Sequence, residues 1–417
     1  MVDAAASARP DDGAAYYRLA LILGALTAMG PLAIDTYLPA LPTIARELHT
    51  TAALVQVSLS VYFVGIALGQ ALYGPLSDRI GRKPALYLGL TMFVTASVGC
   101  AMSTSVYLLI AFRFLQALGG CSPLVIPRAI VRDHFDQRES VRMLSVLMLV
   151  MGLAPILAPL VGGQLLTRFG WRSIFWFHAI YAVVWLAAVV IGLQESLSTA
   201  RRRQQRVSAI LATYGSLLTD RAFMSQVLTG ALIFAGLLAY ISGSAFVFIE
   251  LFHVSPQHFG LYFGVNAIGI ISASQLNRWL AQRTDAAAIL RRVLPVSLVA
   301  SLALLADAWS GFGGFAGILV PLFIYIATHG FVMPNTTALA MAPHGAVAGS
   351  ASALLGSIQF ILGALAGSLL GAASNGTAIP LAAVVAGCGT AAFVIHALSQ
   401  VSLVSSPAAG RQSAASK

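Results

Sequence analysis

Long apolar blocks separated by short polar clusters run along almost the whole chain. Blocks of about 20 mostly apolar residues are long enough to cross the hydrocarbon core of a bilayer as helices. They lack the short apolar–polar alternation of a transmembrane barrel. We therefore predict an all-α integral membrane protein with about twelve spans. The predicted spans are 18–40, 53–76, 84–102, 105–128, 141–165, 171–193, 222–249, 258–280, 289–309, 314–341, 347–372 and 376–400.

The longest polar break predicts two halves of six helices each. We expect an N-terminal bundle at 1–194, a basic cytoplasmic linker at 195–221 and a C-terminal bundle at 222–417. The stretch VYFVGIALGQ at 61–70 also matches LYFGVNAIGI at 261–270, although two helices rich in Ala and Gly can match by chance. Paired helical halves with a site between them are typical of secondary transporters.

Composition and charge fit this class. Of 417 residues, 58% are hydrophobic and 9% are charged, whereas soluble domains carry about 25% charged residues. The net charge of +10 could favour nucleic acid, but with a cytoplasmic N-terminus 20 of the 24 Lys and Arg residues fall on the cytoplasmic side. We expect a multi-pass protein of the bacterial inner membrane with both termini in the cytoplasm and no nucleic-acid partner.

Asp35 and Arg113 are charged residues within apolar blocks. Asp35 lies about 17 residues, or roughly 25 Å, along the first span from Arg18. Arg113 lies about eight residues, or roughly 12 Å, from the outer end of the fourth span. A central arginine costs about 2.5–3.5 kcal/mol on insertion, so it should face the interior or a cavity. Both residues fall in the outer half of the membrane, where they can share a cavity.

We hypothesise that Asp35 takes and releases a proton as access to the cavity alternates. The alternative is an acid near the outer surface that only caps a helix or pairs with a neighbour. We also expect Pro39 and Pro42 to end the first helix where it leaves the membrane. Gln116 and Gly120 share a helical face with Arg113 by their spacing.

The loop GPLSDRIGRKP at 74–84 follows the second span. Its alternating charges can pair with neighbouring helix ends, and its glycines permit close contact and a tight turn. The alternative is a cytoplasmic loop with one incidental acid. The loop contains Gly74, Asp78, Arg79, Gly81, Arg82 and Lys83.

This loop resembles the signature loop of the major facilitator superfamily. The stretch RFLQALGG at 113–120 resembles the family's buried-arginine motif, and GLAPILAPLVGG at 152–163 is similar to the motif of its drug/proton antiporter branch. Ala158 stands where that motif often has Gly. The stretches DTYLPALP at 35–42 and PRAIVRD at 127–133 resemble the bicyclomycin/chloramphenicol-resistance (Bcr/CflA) subfamily.

The resemblance implies roles for these residues. It associates Arg113 with proton coupling, and it makes the loop a gate in which Asp78, Arg79 and Asp133 are partners. It assigns a seal between the halves to the antiporter motif, although ordinary packing of a kinked helix needs the same residues. The motif residues are Gly152, Pro155, Pro159, Gly162 and Gly163.

Polar and amphipathic groups within the apolar spans are candidates to line a substrate cavity, although each one taken alone is better explained by packing. A mostly apolar cavity with scattered hydrogen-bonding groups suits amphipathic compounds. The candidates are Tyr37, Tyr62, Gln116, Tyr240, Asn266, Asn335 and Gln359.

Other chemistry is not indicated by the sequence. No Walker-type phosphate loop occurs, and the histidines lack metal-ligand spacing, so we expect no cofactor and no metal. We expect a transporter and not an enzyme, acting as a monomer. The resemblance implies proton-driven export of bicyclomycin-, chloramphenicol- or sulfonamide-like drugs. Export of a native metabolite, import, and a non-transporting membrane sensor are the alternatives.

Overall fold

The computed structural model describes residues 13–198 and 207–404, which form fourteen α-helices. The N-terminal half contains α1 (Gly13–Asp35), α2 (Leu41–Glu47), α3 (Ala52–Ile80), α4 (Arg82–Ala101), α5 (Val106–His134), α6 (Gln137–Phe169) and α7 (Arg172–Gly192). The C-terminal half contains α8 (Val207–Thr219), α9 (Arg221–Ala245), α10 (Pro256–Leu280), α11 (Ala286–Ser310), α12 (Gly314–Met341), α13 (Ala348–Ala372) and α14 (Ile379–Val404).

Polar side chains at the loops fix where several helices begin. Thr51 accepts a hydrogen bond from the backbone of Leu54 and starts α3, and Ser105 does the same for α5. Asp136 and Glu139 form a reciprocal capping box at the start of α6. These caps satisfy N–H groups that have no partner inside a helix.

Helices of sufficient length and apolar character cross the membrane as predicted. Within residues 13–198 and 207–404, eleven segments qualify by length and composition. One of them, the 59-residue segment Gly314–Ala372, holds both α12 and α13, which are joined by a 3₁₀ turn at Ala342–Val347. Each of these two helices is itself long enough to span the bilayer. The twelve predicted spans are therefore confirmed.

The end of the first span differs from the prediction. Helix α1 ends at Asp35, before either proline, and a 3₁₀ turn at Leu38–Ala40 leads into α2. Pro39 and Pro42 lie at the starts of the next two helical turns, where a missing backbone N–H costs nothing, and both are buried. The prolines therefore restart the helix inside the protein, and the expectation that they end it at the surface was wrong.

The segment predicted as a linker contains helix α8, whose Leu217 lies in an apolar cluster with Phe223 of α9 in the C-terminal half. Its dense basic cluster, at 199–206, lies outside the described residues. Glu195, at the start of this segment, is bonded to the N-terminal half, as described below.

Two pairs of helices join the halves. In the first pair, α3 packs on α13, and Ser357 Oγ donates a 2.8 Å hydrogen bond to the carbonyl of Ala67. In the second pair, α6 packs on α10. At the end of the molecule that carries α2, Arg46 pairs with Glu250 across the halves, with 3.8 Å between Nη1 and Oε1. The two bundles therefore meet along a central seam that is tied at this end.

Candidate functional site

Asp35 lies at the break between α1 and α2, next to the seam. Only 4% of its surface is exposed. Within the described residues its carboxyl group forms no ion pair and accepts no hydrogen bond. Its charge acts electrostatically on Tyr62 of α3 and on Tyr240 of α9, one from each half. An isolated buried carboxylate is costly, so this position favours a group that exchanges its charge for a proton.

Arg113 is fully buried beside the last turn of α1. Its Nη1 donates to the carbonyl of Ala33 at 3.1 Å and to Gln116 Oε1 at 2.7 Å. The guanidinium lies between two aromatic rings, 4.0 Å from the ring centre of Tyr62 and 4.6 Å from that of Tyr37. Such cation–π contacts stabilise a desolvated guanidinium. Arg113 therefore contacts the first span through its backbone at Ala33, and its hydrogen bonds go to that carbonyl and to Gln116 and not to the Asp35 carboxyl group.

His178, on α7, links the same residues from the other side. Its Nε2 is 2.7 Å from Thr36 Oγ1, and its Nδ1 is 3.4 Å from Gln116 Nε2. Gln116 Nε2 also donates to Ser97 Oγ at 2.7 Å. A continuous set of hydrogen bonds therefore runs from Ala33 through Arg113, Gln116 and His178 to Thr36, and we call it the Arg113–His178 network.

The C-terminal half contributes the facing wall. Tyr240 accepts a 2.9 Å hydrogen bond from Asn266 Nδ2 and stacks on Phe263, with ring centres 5.4 Å apart. The hydroxyl of Tyr62 and Oδ1 of Asn266 are buried without a hydrogen-bond partner among the described residues. Each half therefore contributes a buried, unpaired hydrogen-bonding group near Asp35.

Asn335, Gln359 and Tyr37 are three further predicted cavity residues, and each has its own surroundings. Asn335 donates to Asn277 Oδ1 at 2.6 Å and so joins α12 to α10. Asn277 lies about 16 Å further along α10 than Asn266, near the C-terminal end of that helix. Its partner Asn335 therefore lies far from Asn266 and Tyr240. Gln359, on α13, is buried. The ring of Tyr37 makes a cation–π contact with Arg113, and the Tyr37 hydroxyl is 2.8 Å from Ser58 Oγ. Both contacts lie within the N-terminal half.

The glycines of α6 lie where the helix touches both halves. A Cβ atom on Gly162 would collide with the carbonyl oxygen of Thr36, next to Asp35. A Cβ atom on Gly163 would lie 2.5 Å from the carbonyl oxygen of Pro256, at the start of α10. At Gly152 the nearest atom, on Ile271 of α10, would be at an ordinary 3.5 Å. Pro155 and Pro159 both lie inside α6, which runs without interruption from Gln137 to Phe169.

The loop between α3 and α4 is organised by Arg82. Its Nη1 is 2.5 Å from Asp78 Oδ1, and its Nε is 2.9 Å from Asp133 Oδ2. Arg82 is buried, with 4% of its surface exposed. Arg79, which we expected to be the partner of these acids, is exposed and forms no ion pair with described residues. Gly81 turns the chain and caps the start of α4. Arg82, the first residue of α4, is therefore the one whose side chain is buried beside the two acids.

Glu195 completes this loop from the end of α7. Its two carboxylate oxygens each accept a 3.0 Å hydrogen bond, from the backbone N–H groups of Arg82 and Lys83. A carboxylate at a helix N-terminus also opposes the positive end of the helix dipole. Gly81 has φ 108°, a conformation that favours glycine. A Cβ atom at Gly74 would contact nothing within 4 Å.

Several of these residues could not be predicted, or were not predicted, from the sequence. Nothing in the sequence identified Thr36 or Ser97, since hydroxyl groups are common in apolar helices. His178 could have been singled out as a histidine inside an apolar block, and Glu195 as an acid beside the basic linker. No group of three or more His, Cys, Asp or Glu side chains suited to a metal occurs among the described residues.

Two helical bundles that enclose buried charges at a central seam define a secondary transporter of the membrane. The chain belongs to the Major Facilitator Superfamily, whose family model matches residues 23–368. Protein relatives and solved structures agree with this assignment.

Over 368 residues the chain is 39% identical to the "Uncharacterized MFS-type transporter YdgK" of Bacillus subtilis, covering 88% of this chain and 91% of that protein. It is 28% identical to the "Bicyclomycin resistance protein homolog" of Haemophilus influenzae, over 88% of this chain and 92% of the relative. It is also 28% identical to "Multidrug resistance protein D" of Escherichia coli, over 82% and 86%. Among solved structures, a D-xylose–proton symporter superposes with a TM-score of 0.71 at 14% identity, over 91% of this chain and 97% of that one, and so supports the fold alone.

Proposed function

We propose that this protein is a proton-coupled multidrug exporter of the bacterial inner membrane, with both termini in the cytoplasm. The substrate class rests on relatives named for resistance to bicyclomycin and to multiple drugs. Small amphipathic compounds suit a seam lined by tyrosines, phenylalanine and a few amide and hydroxyl groups. Because both walls of the site come from one chain, a monomer is sufficient.

The observation that carries proton coupling is the unpaired, buried carboxyl group of Asp35, within electrostatic reach of Tyr62 in one half and Tyr240 in the other. A proton on Asp35 removes its charge and lowers the cost of enclosing it in an apolar seam. When Asp35 loses the proton, its carboxylate is charged again, and a conformation in which water reaches this carboxylate is favoured. Protonation can therefore bias which side of the seam opens, and the fixed charge of Arg113 stays bound in the N-terminal half.

The tied end of the molecule suggests which state is represented. With cytoplasmic termini, the Arg46–Glu250 pair lies on the outer side, where it joins the halves. At the inner side Arg82 pairs with Asp78 and Asp133 of its own half. In the C-terminal half, His344 Nε2 is 3.2 Å from Asp220 Oδ2. This arrangement matches a conformation closed to the outside, from which a drug enters at the cytoplasmic end.

A compound-susceptibility panel tests the substrate class. An efflux-deficient host would express the wild type or Asp35→Asn at equal membrane levels. We expect the wild type to raise the tolerated concentration of some amphipathic drugs at least about fourfold, and the variant to give no protection. If no compound is tolerated better with the wild type, drug export is wrong, and export of a native metabolite or a sensor role is favoured.

A further inference from the structure

We propose that His178 is a positioning residue for Asp35. In one neutral tautomer, its imidazole ring holds the end of α1 through a hydrogen bond to Thr36. This inference deepens the proposed function, because it rests on Asp35 as the coupling residue.

Arginine can only donate hydrogen bonds. Arg113 Nη1 therefore faces the oxygen of the Gln116 amide, at 2.7 Å. The amide nitrogen of Gln116 must then point to Ser97 Oγ and to His178 Nδ1. Since that nitrogen donates, Nδ1 of His178 accepts and carries no proton.

The proton of the neutral imidazole then sits on Nε2. Nε2 donates to Thr36 Oγ1 at 2.7 Å, and the Thr36 hydroxyl donates in turn to the carbonyl of Leu32 at 2.7 Å.

These bonds hold the chain on both sides of Asp35. Arg113 binds the carbonyl of Ala33, two residues before Asp35, and His178 binds the side chain of Thr36, one residue after it. Gln116 couples the two attachments. Both hydrogen-bonded groups are buried, so loss of one partner leaves the other without water to replace it, which is costly. The break in α1 is thereby kept at one position relative to the seam.

Other groups around this end of α1 act on Asp35 from several helices. Tyr62 on α3 and Tyr240 on α9 are within electrostatic reach of it, and Arg113 on α5 and His178 on α7 flank its neighbours. Tyr37 and Cys100 complete the titratable groups near Arg113 among the described residues. Moving Asp35 relative to these groups changes how readily it binds a proton.

The test measures protonation of Asp35 without any transport step. A hydrophobic carbodiimide, which labels protonated carboxyl groups in membranes, is applied to the purified protein across pH 5 to 9, and Asp35→Asn gives the background. Thr36→Val removes the hydroxyl at nearly constant shape, and Thr36→Ser retains it. His178→Asn keeps an acceptor near Nδ1 but loses the bond to Thr36, whereas His178→Gln places an amide N–H near Nε2.

We expect Thr36→Val and His178→Asn to shift the labelling midpoint by about 0.5 pH unit or more, about a threefold change in proton affinity. Thr36→Ser and His178→Gln should stay within about 0.2 pH unit of the wild type. A purely structural role would lower the yield of folded protein and leave the midpoint unchanged. Unshifted midpoints in folded Thr36→Val and His178→Asn would overturn the proposal. If the wild type moves no drug under a pH gradient, the proposed function is contradicted. The pH midpoints of carbodiimide labelling still decide the role of His178 in that case.

Discussion

Nη1 of Arg113 lies 3.1 Å from the carbonyl oxygen of Ala33, at the last turn of α1. The arginine therefore holds the backbone next to Asp35, while the Asp35 carboxyl group forms no ion pair with the described residues. A direct ion pair would hold the carboxylate in its charged form. Attachment through the backbone fixes the position of Asp35 and leaves its side chain free to change protonation.

Arg113→Lys should reduce transport even though the positive charge is kept. Lysine lacks the planar guanidinium that packs over the rings of Tyr37 and Tyr62 while its Nη1 donates to both Ala33 and Gln116. We expect at least a tenfold loss of proton-driven transport, about 1.4 kcal/mol in the rate-limiting barrier. Uptake into inverted vesicles, normalised to protein amount, measures it. Wild-type rates in Arg113→Lys would show that charge alone suffices.

Gly162→Ala should disturb the seam, because the added methyl group meets the carbonyl oxygen of Thr36. We expect a stability loss of about 1–3 kcal/mol and a leak of protons through vesicles that carry the variant. Gly152→Ala is the matched control on the same helix, since its methyl group would meet Ile271 at an ordinary 3.5 Å. Thermal unfolding in detergent and decay of an imposed pH gradient are the measurements. Equal behaviour of the two variants would argue against a seal at Gly162.

Arg82→Ala and Arg79→Ala distinguish the roles of the two arginines in the loop between α3 and α4. Removing Arg82 leaves Asp78 and the largely buried Asp133 without their partner, so we expect transport to fall at least tenfold. Arg79 is exposed and unpaired within the described residues, so its removal should change transport less than about twofold. Initial transport rates at equal expression decide between them. The opposite order would restore Arg79 as the gate residue.

A reversible cross-link between positions 46 and 250 should stop transport. The Arg46–Glu250 pair is exposed, so the single substitutions should have little effect on stability. In Arg46→Cys with Glu250→Cys, a bifunctional thiol reagent with a reducible linker should tie the halves at the outer end and block the cycle, and reduction of the linker should restore it. Each single cysteine variant, treated with the same reagent, is the control. Continued transport by the cross-linked protein would contradict opening at this end.

Most of the fold could be predicted because about 20 apolar residues in a row are a local signal. The placement of Asp35 and Arg113 in the same half of the membrane was predicted from their depth alone. Depth can be counted in residues along each helix from its end. The partner of the loop acids did not follow, because Arg79 and Arg82 occupy the same short turn and the backbone at Gly81 selects between them. The bond between Thr36 and His178 joins residues 142 positions apart, and no spacing rule reports such a contact.

The break of α1 at Asp35 was also beyond the sequence. Two prolines mark a change of helix, but a proline can begin a helical turn as well as end one. The 3₁₀ turn at Leu38–Ala40 is buried, and Pro39 lies at its start, so this proline begins a helical turn inside the protein. Asp35 consequently lies at a helix end inside the protein.

Drug movement by Asp35→Asn under an imposed pH gradient tests the central claim most directly. Asparagine keeps the size of the side chain but cannot release a proton. In reconstituted vesicles the wild type should move a drug identified in the susceptibility panel against its gradient when protons flow the other way. Asp35→Asn should lose at least about 95% of this flux while retaining drug binding and a normal amount of folded protein. Flux at the wild-type rate in Asp35→Asn would show that Asp35 does not couple protons to transport.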